Sequence, residues 1–334
     1  MRVAVTGVTG FVGGAVALRL AADGVDVVGL GRRAAQPAGV GSYVRWDLAS
    51  GEPAPPILAT CDAFVHAAAR VAPWGPDEPF LRTAVGGTAR LLDAIGPSAR
   101  LIVIGSASVY DPRRAHAHAR ELEAPVDDTR YLNAYARAKA AQERLVLARR
   151  PDALVLRPRA VWGPGDPTLL PRLLARVRGG RLLLPAGGAL PASMTYLDSL
   201  VEAVVAGLRS EVFGPVNVAD ATSLAPSVLL ARLFAALDRP VRIVGIPVVA
   251  ADAAASVVEA MWRAAGRRAE PPITRYAVAA FGRPLVLDLT RLHDELGVAP
   301  DADIEDGVAR VAAALVALRG AGHEDGEDDC SSPP

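Results

Sequence analysis

The chain has 334 residues, 51% of them hydrophobic and 22% charged, a size that suits one large domain with a smaller one attached. Acidic and basic side chains balance at 36 each, which excludes the electrostatic footprint of a nucleic-acid or anionic-membrane binder. The two cysteines, Cys61 and Cys330, lie far apart, so neither a disulfide framework nor a cysteine-based metal site is expected.

The N-terminal "MRVAVTG" opens directly on a strand pattern, with no charged-then-apolar leader. No apolar run is long enough to span a bilayer, and a soluble, cytoplasmic protein is expected. "RVAVTG" (2–7) reads as a buried strand and "FVGGAVALRLAADG" (11–24) as a helix ending at Gly24. "VDVVGL" (25–30), "YVRWDL" (43–48) and "DAFVHAAA" (62–69) continue the strands, and "TARLLDAI" (88–95) is helical. "RLIVIGSAS" (100–108) is a fifth strand, followed by a helix through Tyr135 to Arg149, and "DALVLRP" (152–158) is a sixth. Strands alternating with helices predict a doubly wound parallel sheet of the Rossmann α/β class, with its ligand crevice at the strand carboxyl ends. The predicted dinucleotide-binding domain spans 1–158 with a contribution from about 191–221. Segments 159–190 and 222–320 are assigned to a smaller, interleaved substrate domain. The acidic, Pro-ended segment 321–334 reads as a disordered tail.

"TGVTGFVG" spaces Gly7, Gly10 and Gly13 as GxxGxxG between the first strand and the first helix, the context a dinucleotide loop requires. Thr6, Gly7, Gly10, Phe11, Val12 and Gly13 are therefore the expected phosphate-side contacts. Where an NAD site usually carries an acid after the second strand, this chain has Arg32 and Arg33. Two guanidiniums without an acid suit a 2′-phosphate, so NADP(H) is favoured and NAD(H) stays open. Asp47, ending the third strand, and Leu48 are expected on the adenine side, and Ala67, Ala68 and Ala69 leave room beside the ribose. His66 reads as a packed strand-end histidine.

One lysine occurs in the whole chain, Lys139; the other basic residues are arginines. It stands four residues after Tyr135, on the same helix face. A lysine cation at ~4 Å and an effective dielectric of ~20 contributes about 4 kcal/mol, or roughly three pKa units of depression on a phenol. That would bring Tyr135 into the range of general acid–base chemistry, with Lys139 also hydrogen-bonding ribose hydroxyls. The hydroxyl partner should sit at the end of the fifth strand, where Ser106 and Ser108 are both candidates.

"TGVTGFVG", "HAAA", "GSASVY", "YARAK" and "LRPRAVWGPGD" resemble, in order and spacing, the motifs of the extended short-chain dehydrogenase/reductase superfamily, over about residues 1–320. The resemblance implies a nicotinamide cofactor, a Ser106–Tyr135–Lys139 catalytic group, and Pro158 beside the nicotinamide. "MTYLDSLVEA" and "WGPGDPTLLPRLL" look closest to the 3β-hydroxysteroid dehydrogenase-like branch, which includes 2-alkyl-3-oxo acid reductases. Three departures stand out. Ala107 and Ser108 replace the Asp-Glu of sugar dehydratases, and Ala192 and Ser193 replace the Arg-Asp of sugar epimerases, although Arg283 could substitute for that arginine. Ala84 replaces the asparagine of the usual "NVxGT" helix.

The implied function is NAD(P)-dependent interconversion of a ketone and a secondary alcohol on a mostly apolar small molecule, a β-keto or β-hydroxy acid or a hydroxysteroid-like compound. Leu169, Leu170, Met194, Trp262 and Phe281 are candidate pocket walls. A nucleotide-sugar epimerase with bound NAD and a non-catalytic redox-sensing dinucleotide binder are the alternatives. A homodimer is possible. The Ala/Arg bias reads as GC-rich bacterial coding.

Overall fold

A computed structural model of the protein describes residues 1–34, 36–37, 39–300 and 302–324. In chain order the strands are β1 (Arg2–Thr6), β2 (Asp26–Gly31), β3 (Ser42–Arg45), β4 (Ala63–His66), β5 (Arg100–Ile104), β6 (His116–Ala119) and β7 (Leu154–Pro158). They continue as β8 (Val161–Trp162), β9 (Arg181–Pro185), β10 (Thr195–Tyr196), β11 (Gly214–Val218), β12 (Arg242–Ile246) and β13 (Leu285–Leu287). The helices are α1 (Phe11–Ala22), α2 (Asp77–Leu81), α3 (Thr88–Ala94), α4 (Ala134–Arg149), α5 (Leu169–Ala175) and α6 (Leu197–Arg209). After them come α7 (Pro226–Ala236), α8 (Val248–Ala264), α9 (Arg275–Gly282), α10 (Thr290–Asp294) and α11 (Ile304–Glu324).

Seven strands form one parallel sheet in the order β11-β7-β5-β4-β1-β2-β3, the doubly wound topology expected from the alternating pattern. The order reverses between β1 and β4, which opens a crevice at their carboxyl ends. The six strands read from the sequence are all present, and β11 is the seventh. Four observed ends fall earlier than predicted, β1 by one residue at Thr6 and three others by more. β3 stops at Arg45, β4 at His66 and β5 at Ile104, so Asp47, Ala67 and Ser106 lie on the loops that line the crevice rather than on strands.

Strand alternation divides the buried side chains between two layers. Val3, Val5, Ile102, Ile104, Leu154 and Leu156 join α1 and α6 in one core. Ala4, Leu101, Val103 and Val155 join α3 and α4 in the other. The same parity sends Arg157, the residue before the last of β7, toward α4. There it forms a fully buried ion pair with Glu143, with Nε donating to Oε2 at 3.0 Å and Nη2 donating to Oε1. Its Nη1 also donates to the Glu121 carbonyl at 2.8 Å.

Outside the seven-stranded sheet lie three two-stranded pairings (β8–β10, β9–β12, β6–β13), and α5, α7, α8, α9 and α11 follow β7 in the chain. Residues 321–324 continue α11, where a disordered tail was expected, and the rest of that segment, 325–334, lies outside the described residues. Among the described residues no helix is long and apolar enough to cross a membrane.

Removing one partner of a buried pair leaves an uncompensated charge. Glu143→Ala is expected to lower the unfolding free energy by roughly 3–5 kcal/mol in urea denaturation. A loss below about 1 kcal/mol would show that the pair does not hold α4 to the sheet.

Candidate active site

The crevice is a cleft of about 1410 Å³. That exceeds the several hundred Å³ of an ordinary small-molecule site and leaves room for two molecules side by side. One half is walled by the glycine loop. Gly7 has φ +76°, and a Cβ there would come within 2.9 Å of the Ala68 backbone; a Cβ on Gly13 would lie 2.4 Å from the Gly7 carbonyl oxygen. Only glycine lets this loop fold against "HAAA" and let α1 start so close to it. Gly10 caps α1 with no side-chain hydrogen bond, so the helix opens on the cleft with uncapped amides.

Every residue expected at the cofactor lines this one cleft. Thr6, Gly7, Gly10, Phe11, Val12 and Gly13 form its loop side. Arg32 and Arg33, both exposed, stand with Asp47 and Leu48 at one end. Ala67, Ala68, Ala69, Ser106, Tyr135, Lys139 and Pro158 lie toward the middle. Asp47 is already engaged locally, its Oδ1 accepting from the Ala49 amide at 2.9 Å. The residues present thus fit a dinucleotide: uncapped helix amides for a diphosphate and a cationic end for the ribose side.

The catalytic candidates are positioned by α4 and by the turn after β5. Asn133 caps α4, its Oδ1 accepting from the Ala136 amide at 2.9 Å, and an alanine-rich run carries the helix on to Arg149. Tyr135, Lys139 and Gln142 share one face. Ser106 is held by the turn it caps, its Oγ accepting from the Ser108 amide at 3.1 Å, and it lines the same cleft as Tyr135. Ser108 is turned away from the main cleft, its Oγ buried without a partner beside a smaller chamber.

Lys139, 4% exposed, donates to the Ile104 carbonyl at 2.7 Å and to Gln142 Oε1 at 3.0 Å. Gln142 Nε2 donates to Thr88 Oγ1 at 2.9 Å, and His66 hydrogen-bonds both Thr88 (2.9 Å) and Thr6 (2.8 Å). Thr6 Oγ1 in turn accepts from the Ala68 amide at 3.1 Å. A buried polar chain therefore runs from the lysine to the loop beside the dinucleotide groove. His66 is a packed histidine within it, as the sequence suggested.

The electrostatics correct one expectation. Lys139 does not depress Tyr135: the ammonium is turned toward Ile104 and Gln142, and burial instead pushes the phenol up to about 12, with the nearby Ser106 side chain opposing. Burial also brings Lys139 down to about 8, opposed by the field of Glu143.

Other placements differ as well. Leu169, Leu170, Met194 and Phe281 line the cleft, but Trp262 does not; it sits on α8 with the Arg267 guanidinium 4.8 Å from its ring centroid. Arg283 lines the smaller chamber, not the main cleft. Ala84 packs with Phe80, Ala134, Ala138 and Tyr135, so an apolar cluster stands where the family's asparagine would be. Sequence reasoning missed Gln142, Thr88, Asn133, Arg159 and Tyr276. Gln142 could have been found, since it shares the helical face of Tyr135 and Lys139.

Fold and cleft define an NAD-dependent oxidoreductase-type enzyme of the Rossmann class. The chain matches the model of the NAD dependent epimerase/dehydratase family over residues 3–219 and belongs to that family, within the extended short-chain dehydrogenase/reductases. It is 30% identical over 343 residues to a 2-alkyl-3-oxoalkanoate reductase of Stenotrophomonas maltophilia, covering 95% of this chain and 100% of the relative. It is also 30% identical over 332 residues to a 4-hydroxy-2-methyl-3-oxo-4-farnesyl-3,4-dihydroquinoline-1-oxide ketoreductase of Stigmatella aurantiaca, covering 96% and 97%. Among solved structures, UDP-glucuronic acid 4-epimerase from Bacillus cereus in complex with NAD shares the fold, with TM-score 0.72 and 17% identity over 95% of this chain and 99% of that one.

Burial, then the Lys139 charge, pushes His66 down to about 3, against about 6.5 in an unfolded chain. Between those values the unfolded chain binds a proton that the folded one does not. This contribution is complete above about pH 6.5 and is lost as pH falls. Stability measured by urea denaturation from about pH 6 to about pH 4 should therefore fall less steeply in His66→Asn, by up to about 1.4 kcal/mol per pH unit. Parallel slopes in the two proteins would show that His66 takes up its proton in the fold.

Proposed function

We propose that the enzyme is an NADP(H)-favouring ketoreductase that interconverts a ketone and a secondary alcohol on a substrate with a long apolar part. The observation that carries this is the convergence of Ser106, Tyr135 and Lys139 on one cleft that is lined both by the glycine loop and by apolar side chains. The 2-alkyl-3-oxoalkanoate reductase and ketoreductase relatives support the reaction class.

A nicotinamide held in this cleft would supply or accept the hydride. Ser106 and Tyr135 hold the carbonyl oxygen through their hydroxyls. Tyr135, whose raised pKa keeps its proton at neutral pH, gives it up as negative charge grows on that oxygen. Lys139 has three N–H donors, two of them held by Ile104 and Gln142, and the third serves ribose hydroxyls. Pro158, which lines the cleft, would flank the nicotinamide ring. Segments 159–190 and 222–320 act as the substrate-binding unit, with Leu169, Leu170, Met194 and Phe281 covering the apolar tail. Arg32 and Arg33 read the 2′-phosphate, which supports NADP(H) over NAD(H).

Fluorescence titration with NADPH and NADH tests the cofactor, after any copurified dinucleotide has been identified. NADPH should bind more tightly and exchange freely, and Arg32→Asp should shift preference toward NADH. Tightly retained NAD would instead favour an epimerase. Tyr135→Phe should cut ketone reduction by about a hundredfold or more while leaving NADPH affinity within about twofold. Lys139→Arg should cripple turnover although it keeps the charge, since a planar fork cannot replace a compact ammonium between Ile104 and Gln142. Near-normal turnover would remove the proposed reason for the lysine.

A further inference from the structure

Arg157 and Arg159 flank Pro158 at the end of β7 and meet opposite surroundings. The first is neutralised by Glu143 in the core. The second faces the cleft, where its Nη1 donates to the Ser193 carbonyl at 2.8 Å and its Nη2 to the Ala280 carbonyl at 3.3 Å. Among the described residues no carboxylate pairs with it. The other guanidiniums of the cleft are accounted for differently. Arg82 pairs with Glu78, Arg172 and Arg176 pair with Glu270, and Arg32, Arg33 and Arg70 stand exposed in water. Arg159 alone among these is both partly buried and without a carboxylate.

Withdrawing a cation from water is costly unless an anion meets it. Carbonyl oxygens orient a guanidinium without neutralising it. Burial lowers Arg159 to about 10, and the group in its field is the phenol of Tyr276 on α9, itself pushed up by burial. Both side chains also border a chamber of about 90 Å³ behind Ser106, which Ser108 lines with its unpartnered Oγ. That volume holds a few waters or a group the size of a carboxylate.

We infer that Arg159, with Tyr276, is the anion-recognition subsite of the substrate, holding a carboxylate close to the carbonyl bound at Ser106. The inference rests on the ketoreductase reading for the position of that carbonyl. Ser106 lines both the main cleft and the chamber, so the two polar groups must be separated by only a few bonds, as in a 3-oxo acid. The alkyl part then runs toward Leu169, Leu170 and Phe281. A neutral steroid would leave the guanidinium unmet.

Binding of dodecanoate and of its methyl ester, measured by calorimetry on the full chain saturated with the dinucleotide it prefers, tests this without requiring turnover. The wild-type enzyme should bind the acid more tightly than the ester. Arg159→Gln should weaken the acid by about a hundredfold and leave the ester within about threefold, with dinucleotide binding unchanged. Arg159→Lys keeps the charge but loses the fork, and should weaken the acid by about tenfold and spare the ester. It carries the test if the glutamine variant does not fold. Equal binding of acid and ester by wild type, or parallel loss of both in the variants, would overturn the inference and leave Arg159 as a tether between Ser193 and α9. Failure of the wild-type enzyme to reduce any ketone, with the acid–ester difference intact, would count against the ketoreductase reading and not against the anion site.

Discussion

The active-site geometry depends on one buried ion pair. Arg157 on β7 and Glu143 on α4 are both withdrawn from water, at 0% and 1% side-chain exposure. The idealised cost of such burial is several kcal/mol per ion, returned only where the geometry is good and the remaining donors are satisfied. Here they are: Arg157 also donates to the carbonyls of Glu121 and Ala124. The pair adds little net stability over an apolar contact but strongly resists sliding. A hydrophobic patch tolerates a shift of α4 along the sheet, whereas a two-point charged contact does not. Since Tyr135 and Lys139 lie on the turns of α4 before Glu143, fixing Glu143 fixes the distance from phenol and ammonium to the strand ends.

Lys139 shows what such fixing allows. Lowering its pKa from 10.5 to about 8 corresponds to roughly 3 kcal/mol of penalty on the charged form. An unsupported lysine would avoid that penalty by swinging into water. Two neutral acceptors and the field of Glu143 one turn away keep it in place, and Gln142 ties the same site to Thr88, His66 and Thr6. The Lys139 ammonium and the loop beside the dinucleotide groove are thus parts of one hydrogen-bonded unit. A change at Thr88 or Gln142 would be felt at both.

The architecture was legible because its signals are local. Strands buried on both faces read as apolar runs, the glycine spacing sits between a strand and a helix, and Tyr135 and Lys139 are one turn apart. The positions that escaped are joined across long sequence separations. Arg159 reaches Ser193 and Ala280, and Lys139 reaches Ile104 through a bond whose partners are 35 residues apart. No periodicity announces such contacts. The sign of the Tyr135 shift was missed for a related reason. Spacing on a helix places two side chains on one face, but the direction of a four-carbon stem is decided by its acceptors, and these belong to β5 and Gln142. Trp262 was misplaced because apolar composition alone does not distinguish a cleft wall from a partly buried position elsewhere on α8.

The fold treats its withdrawn cations in two ways. Arg157 is given a carboxylate, and its charge is spent inside the protein. Lys139 and Arg159 are given backbone carbonyls and, for Lys139, an amide oxygen. Such dipoles hold a cation in one orientation but leave its field largely unneutralised, so that the field extends into the cleft, where low dielectric walls strengthen it. The distinction follows from position on β7. A strand residue facing α4 has only protein to meet, whereas one just past the strand end faces the crevice. Within three residues, the chain passes from a charge that builds the fold to a charge directed at a ligand, with Pro158 between them, where a backbone N–H is not available to pair with either.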